Sequence, residues 1–395
     1  MKNDTRTAQP EERKMFYPWF ATLLLVLQPA GQALAEPMLL HVDVLTAGTE
    51  GYHTFRIPAL VTAPDGSLLA FAEARKYNAA DPGFDNNDID LVMKRSTNNG
   101  KTWSKLRVID DPGERWSACN PVPLADRTTG RVWLLHARTK PGRNSYTSRP
   151  GTNDAQNWVR FSDDNGITWS TPRNITKIAR DIDGWGGTFL GPGGGIQDRN
   201  GRLIIPMCRT TGRTDAEGKP LPGTWNAFVL HSKDHGQSWN RGQFLPEQDW
   251  GDENQLVELA DGRILMNLRQ DDGPNRWRAT SHDGGETWSK PVASQTVRPV
   301  CCAIERFSLN SSGDDRNRIL WTGPKGPGRR NLVVRVSYDE GQTFTNERPI
   351  GNQYAAYSDL AILKDRTVGV LWERGEDRSY QFITFSRFNL KYLEP

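Results

Sequence analysis

Ser96-Thr97-Asn98-Asn99-Gly100-Lys101-Thr102-Trp103 is the first copy of an octet that occurs five times. The others occupy residues 162–169, 232–239, 281–288 and 337–344, the last ending in Phe344 instead of Trp. The consensus is S-x-D-x-G-x-T-W, and each position has a physical task. The Asp or Asn accepts hydrogen bonds from the turn's own N–H groups. The Gly takes a positive φ that other residues resist. The aromatic leaves the turn and packs into a neighbouring layer. The octet is therefore a self-satisfied hairpin turn with an aromatic plug, and it accounts for four of the 14 Trp.

The intervals between octets are 66, 70, 49 and 56 residues. Short strand-like runs lie between them. Leu203-Ile204-Ile205-Pro206-Met207 follows Asp198-Arg199-Asn200-Gly201, Ile264-Leu265-Met266-Asn267-Leu268 follows Asp261-Gly262-Arg263, and Val368-Gly369-Val370-Leu371-Trp372 follows Lys364-Asp365-Arg366. No long segment has a 3.6-residue period. Units of this size fit about six times into the chain, which predicts an all-β fold, a six-bladed β-propeller over 36–395, with one unit lacking the octet. A pair of β-sandwiches would leave the period unexplained.

The 395 residues carry 50 Lys plus Arg against 47 Asp plus Glu. No basic stripe argues for nucleic acid as a partner, and nothing after residue 36 is apolar enough to span a bilayer. Residues 1–35 read as a secretory signal. Lys14 precedes the apolar run from Phe16 to Leu27, and Ala33-Leu34-Ala35 supplies an A-x-A end, so cleavage after Ala35 and a secreted, periplasmic or lumenal location are expected. Cys119, Cys208, Cys301 and Cys302 form no C-x-x-C metal or redox motif.

The octets resemble the Asp boxes of the sialidase (neuraminidase) family. Tyr52-His53-Thr54-Phe55-Arg56-Ile57-Pro58 is similar to that family's F/Y-R-I-P signature. Glu73-Ala74-Arg75, Asn120-Pro121, Gly191 to Gln197, Asp252-Glu253-Asn254-Gln255, Asn267-Leu268-Arg269, Arg329-Arg330-Asn331-Leu332, Ala356-Tyr357-Ser358-Asp359 and Leu371-Trp372-Glu373 follow in the family's order. The resemblance implies an exo-α-sialidase acting on sialylated glycans by a retaining mechanism, without a cofactor or metal. A trans-sialidase, an anhydro-forming sialidase and a non-catalytic glycan-binding propeller are the alternatives.

Sialic acids carry a carboxylate on the anomeric carbon, and guanidinium groups pair with it bidentately. The resemblance assigns this task to Arg56, Arg269 and Arg329. Arg329 is preferred to Arg330 because R-x-N-L-x-V-R places it six residues before Arg335. Glu373 matches the carboxylate that braces the first arginine, and Arg75 and Asn120 match further substrate-binding positions. The substrate's carboxylate would repel a carboxylate nucleophile, so the family uses a tyrosine, which needs an adjacent base. Tyr357 matches the nucleophile and Glu253 its base. The general acid falls on the loop after Arg75. Counting forward from Arg56 selects Asp81, the first choice, and counting back from Ile89-Asp90 selects Asp85. Asp85-Asn86-Asn87-Asp88 superficially resembles a Ca²⁺ loop but lacks the sixth-position Gly and the twelfth-position Glu. No G-x-S-x-G, H-E-x-x-H or G-x-x-x-x-G-K motif is present.

Overall fold

The computed structural model describes Met1 and residues 36–85, 87–211, 225–246, 251–270 and 273–395. The expected leader lies, apart from Met1, outside the described residues. The described chain forms a six-bladed propeller, the predicted class. Blade I is built from Thr54–Thr62, Leu68–Arg75, Ile89–Ser96 and Arg107–Asp110, and blade II from Ser117–Asp126, Arg131–Thr139, Ala155–Ser162 and Arg173–Asn174. Blade III takes Gly187–Leu190 with Ile196–Gln197, then Leu203–Thr210, Trp225–Ser232 and Asn240–Arg241. Blade IV is Gly251–Glu258, Ile264–Gln270, Asn275–Ser281 and Val292–Thr296.

Blades V and VI share one strand. Ala303–Ser308, Arg318–Pro324 and Arg330–Ser337 belong to blade V, and the first part of the 18-residue Thr345–Ile362 is its outer strand. The second part is the inner strand of blade VI, followed by Val368–Gly375 and Phe382–Phe388. The outer strand of blade VI is Leu39–Thr46, which pairs antiparallel with Phe382–Phe388. This closure explains the missing octet. In blades I to V the octet turns the third strand into the fourth. In blade VI the fourth strand comes from the other end of the chain, so no such turn exists.

Within each octet the expected bonds form. Gly166 N donates to Ser162 Oγ (2.8 Å), Thr168 N to Asp164 Oδ1 (2.7 Å) and Thr168 Oγ1 to Asp164 Oδ2 (2.6 Å). The aromatic of each octet packs on the preceding blade: Trp169 on Phe71, Trp239 on Trp133, and Trp103 across the closure on Phe385. The octet glycine is needed twice over. Gly100 has φ 79°, and a Cβ there would lie 2.0 Å from the Phe385 ring. At Gly236 it would lie 2.2 Å from Trp133. The turn itself, and not only its plug, abuts the neighbouring blade. The core is accordingly a ring of apolar clusters between blades, exemplified by Trp103 and Phe385 with Leu68 and Leu371.

Candidate active site

The inner strands carry the site where their ladders break. Register shifts lie between Arg56 and Ala59, Cys119 and Val122, Gly251 and Asn254, and Ala355 and Ser358. A bulge interrupts in–out alternation and re-aims side chains. Pro58 and Pro121 sit inside two of these breaks, where a missing N–H costs no ladder bond. Ile57 and Asn120 take positive φ, 57° and 53°, and for a β-branched Ile that is a strained conformation of the kind found at functional sites. The motifs that stand out in the sequence are thus the irregular parts of otherwise regular strands.

Tyr357 and Glu253, 104 residues apart, meet. Tyr357 Oη lies 2.7 and 2.6 Å from the two Glu253 oxygens, to which it donates its proton. Arg269 Nη1 donates to Glu253 Oε2 and to Tyr357 Oη, both at 2.7 Å. Burial first, and then the charge of Glu253, push the phenol well above its ordinary value, against the pull of Arg269 and Arg329. Tyr357 is thus a neutral phenol with an acceptor already on its proton.

Arg56 is buried against Glu373, its Nε 2.6 Å from Oε1. Glu373 also accepts from the backbone N–H groups of Ile57 (2.9 Å) and Tyr357 (3.1 Å). One carboxylate therefore holds the first arginine and both bulged inner strands of blades I and VI. Arg329 and Arg56 each lie 5.5 Å from the Tyr357 ring centroid. Arg330 instead stacks on Tyr354 at 3.9 Å. The three arginines chosen from sequence converge on one tyrosine.

Asp81 sits at the rim with its side chain 63% exposed. Arg75 Nη1 donates to it at 2.9 Å and Arg56 Nη1 at 3.4 Å. Burial pushes its carboxyl up, but Arg75 and then Arg56 outweigh that and hold it below the ordinary carboxylate value. Asp85 has φ 49° and is exposed, and the structure does not bring it to the cavity that Asp81 lines. Arg75 is fully buried on Glu73 (2.6 Å), and Glu73 accepts from the Asn120 backbone at 3.1 Å. Asn120 lines the cavity.

That cavity, of about 160 Å³, is lined by Asp81, Glu253, Arg269 and Tyr357, with Tyr146 and Trp225 among its aromatic residues. A larger one, about 570 Å³, opens around the far ends of the inner strands and contains none of these groups. Size does not mark the site here, because the larger space is the propeller's own channel. In place of a Ca²⁺ loop, the Lys76 ammonium lies 2.8 Å from Asp88 and 3.2 Å from Asp90. Among the described residues no group of three His, Cys, Asp or Glu could hold a metal ion, and no helix is long and apolar enough to cross a membrane.

Two neighbours escaped the sequence reading. Asp252 lies 3.3 Å from Arg269 Nε. Consecutive side chains of a regular strand face opposite ways, so only the bulge lets Asp252 and Glu253 share the cavity. Tyr380 touches both Arg56 and Arg329, and its surroundings, Arg378-Ser379-Tyr380-Gln381, carry no local signal.

Fold and site define an Asp-box propeller in which three arginines gather around one buried tyrosine. A BNR repeat-like domain matches residues 52–370. The chain is 32% identical over 377 residues to a sialidase of Micromonospora viridifaciens, covering 91% of this chain and 55% of that one. It is 31% identical over 386 residues to an exo-alpha-sialidase of Arthroderma benhamiae, covering 89% and 86%. The solved Hadza microbial sialidase Hz136 superposes with a TM-score of 0.78 at 28% identity, over 89% of this chain and 69% of that one. This chain belongs to the sialidase family, and spans about half the length of its Micromonospora relative.

Proposed function

We propose that this protein is an exo-α-sialidase that hydrolyses terminal α-ketosidic sialic acids with retention of configuration. The contact between Tyr357 and Glu253, ringed by Arg56, Arg269 and Arg329, carries this reading. The arginines receive the substrate carboxylate. Glu253 takes the Tyr357 proton as the phenolic oxygen attacks the anomeric carbon, and Asp81 gives a proton to the departing glycosidic oxygen. In the second half Asp81 takes a proton from water, water oxygen displaces the phenolate, and Glu253 returns the proton to Tyr357.

Asp81 must be protonated to act first, yet Arg75 and Arg56 favour its anion. A substrate carboxylate on Arg56 offsets part of that pull and raises the Asp81 pKa when it is needed. The exposure of Asp81 suits a group that meets both leaving group and water.

The test is release of 4-methylumbelliferone from its N-acetylneuraminic acid α-ketoside by wild type and Tyr357→Phe. Turnover by the first and a loss of at least a thousandfold in the second, both folded, is expected, since a nucleophile of this kind acts as part of a unit. A folded wild type that releases nothing between mildly acidic and neutral pH would refute the reading. The product, free sialic acid against an anhydro or transferred form, separates hydrolysis from transfer. We also propose secretion, on the strength of residues 1–35. N-terminal sequencing of extracellular protein should begin at Glu36.

A further inference from the structure

Arg56 and Arg329 pose an electrostatic difficulty. Two cations must be held close together and aimed at one anion. A second carboxylate between them would hold both but would cancel the charge the anion needs. Tyr380 meets both without carrying a negative charge. Its ring lies under the Arg56 guanidinium, 3.9 Å from centroid to Cζ. Its hydroxyl oxygen accepts from Arg329 Nη1 at 3.0 Å. The negative face of the ring and the oxygen lone pair are separate electron-rich surfaces of one neutral side chain.

The backbone around Tyr380 is built for this placement. Tyr380 itself has φ 62°, the left-handed region that costs a non-glycine residue of order 1–3 kcal/mol. The chain before it is tied into a tight loop. Gln381 Oε1 accepts from the N–H groups of Glu376 (2.5 Å) and Asp377 (2.9 Å). At Gly375 an added Cβ would lie 1.8 Å from the Arg378 carbonyl oxygen, so only glycine fits. The Gln381 carbonyl accepts from Ala47 N at 2.8 Å, which anchors the loop to the residue just after the strand that closes the ring.

We infer that Tyr380 is a positioning residue of the carboxylate-binding site, one that clamps Arg56 by its ring and Arg329 by its hydroxyl and adds no negative charge to that of Glu373. The inference rests on the proposed role of these arginines as receivers of the substrate's carboxylate. Tyr380→Phe keeps the ring and removes the acceptor for Arg329, while Tyr380→Leu removes both.

The experiment has two arms on the same full-length protein. In the first, the ¹⁵Nε–¹Hε signal of Arg56, assigned with Arg56→Lys, is recorded in wild type and both variants. A guanidinium over a ring feels its ring current. The shift should survive in Tyr380→Phe and vanish in Tyr380→Leu. An Arg56 signal indifferent to Tyr380→Leu would overturn the clamp, whatever the protein hydrolyses. In the second arm, steady-state kinetics are combined with binding of 2,3-didehydro-2-deoxy-N-acetylneuraminic acid and of its methyl ester, which lacks the anion. Tyr380→Phe should raise KM and weaken the free acid about tenfold, the scale of one hydrogen bond to a charged group, with kcat within about threefold and the ester unchanged. Tyr380→Leu should weaken the acid further. Equal weakening of acid and ester would overturn the inference, because it would mark general damage to the pocket. If wild type neither turns over nor binds the acid while the ring-current result holds, the clamp stands and the proposed activity fails.

Discussion

Glu373→Gln tests how the two ends of the ring are joined at the site. Glu373 has a fully buried side chain and faces Arg56, whose side chain is 6% exposed. It accepts from Arg56 Nε and from two bulge N–H groups, those of Ile57 and Tyr357. Glutamine has the same size but no charge, and one of its two acceptor atoms becomes a donor. That donor must then face another donor. Arg56 also loses its buried counter-charge, and Asp81, 3.4 Å away and largely exposed, replaces it only in part. Removing one partner of a buried pair costs about 3–5 kcal/mol. At ~2 °C per kcal/mol for a chain this long, Tm should fall by about 6–10 °C. Activity should fall further than stability suggests, because the same carboxylate fixes the backbone of Tyr357. A displacement of about 1 Å at a reacting group costs about a hundredfold. Thermal unfolding by circular dichroism and kcat/KM on the aryl ketoside, measured well below Tm, check both effects. A variant within about 1 °C and twofold of wild type would refute the claim that Glu373 sets the site's geometry.

Leaving-group chemistry separates the two candidate acids. Asp81→Ala should cost at least about a hundredfold on an alkyl or sugar ketoside and much less on the activated aryl ketoside, whereas Asp85→Ala should leave both rates within about twofold. The channel supplies a pH prediction. Burial, and then the charge of Asp359, push Glu305 up to about 8, so between the unfolded value and that pH the folded state holds a proton the unfolded state has lost. The group's stability penalty is therefore absent in acid and grows as pH rises, by up to about 1.4 kcal/mol per unit. Glu305→Gln should match wild type in denaturant unfolding near pH 4.5 and exceed it by a few kcal/mol at pH 8; a gain that does not change with pH would contradict this. Gly236→Ala should destabilise by about 2–4 kcal/mol, through the left-handed φ of 82° and the 2.2 Å approach to Trp133. Denaturant unfolding reads this directly, and a change below about 0.5 kcal/mol would show that the turn does not press on the neighbouring blade.

The octets were legible because everything they need lies within eight residues. Ser162, Asp164, Gly166 and Thr168 satisfy one another, so their chemistry survives as a pattern in the chain. Their period then implied the blades, and the motifs around Arg56, Asn120 and Tyr357 stood out because a strand that bulges uses residues a regular strand avoids. What the octet glycine touches was not legible, since Phe385 lies far along the chain from Gly100 and the contact exists only once the ring closes. The same holds for the strand Leu39–Thr46, whose partner is the last strand of the propeller.

The sequence by itself determined the turn chemistry, the all-β class, the repeat and the motifs that carry the site's arginines, carboxylates and tyrosine. Tertiary structure decided which of them meet. It separated Asp81 from Asp85 by where one loop runs, and Arg329 from Arg330 by which of two consecutive side chains reaches Tyr357. It also added Asp252 and Tyr380. The physical reason is the ring: Arg56 and Glu373 are 317 residues apart and 2.6 Å from each other. A contact of that kind depends on the closure of six blades, which no stretch of sequence near either residue encodes.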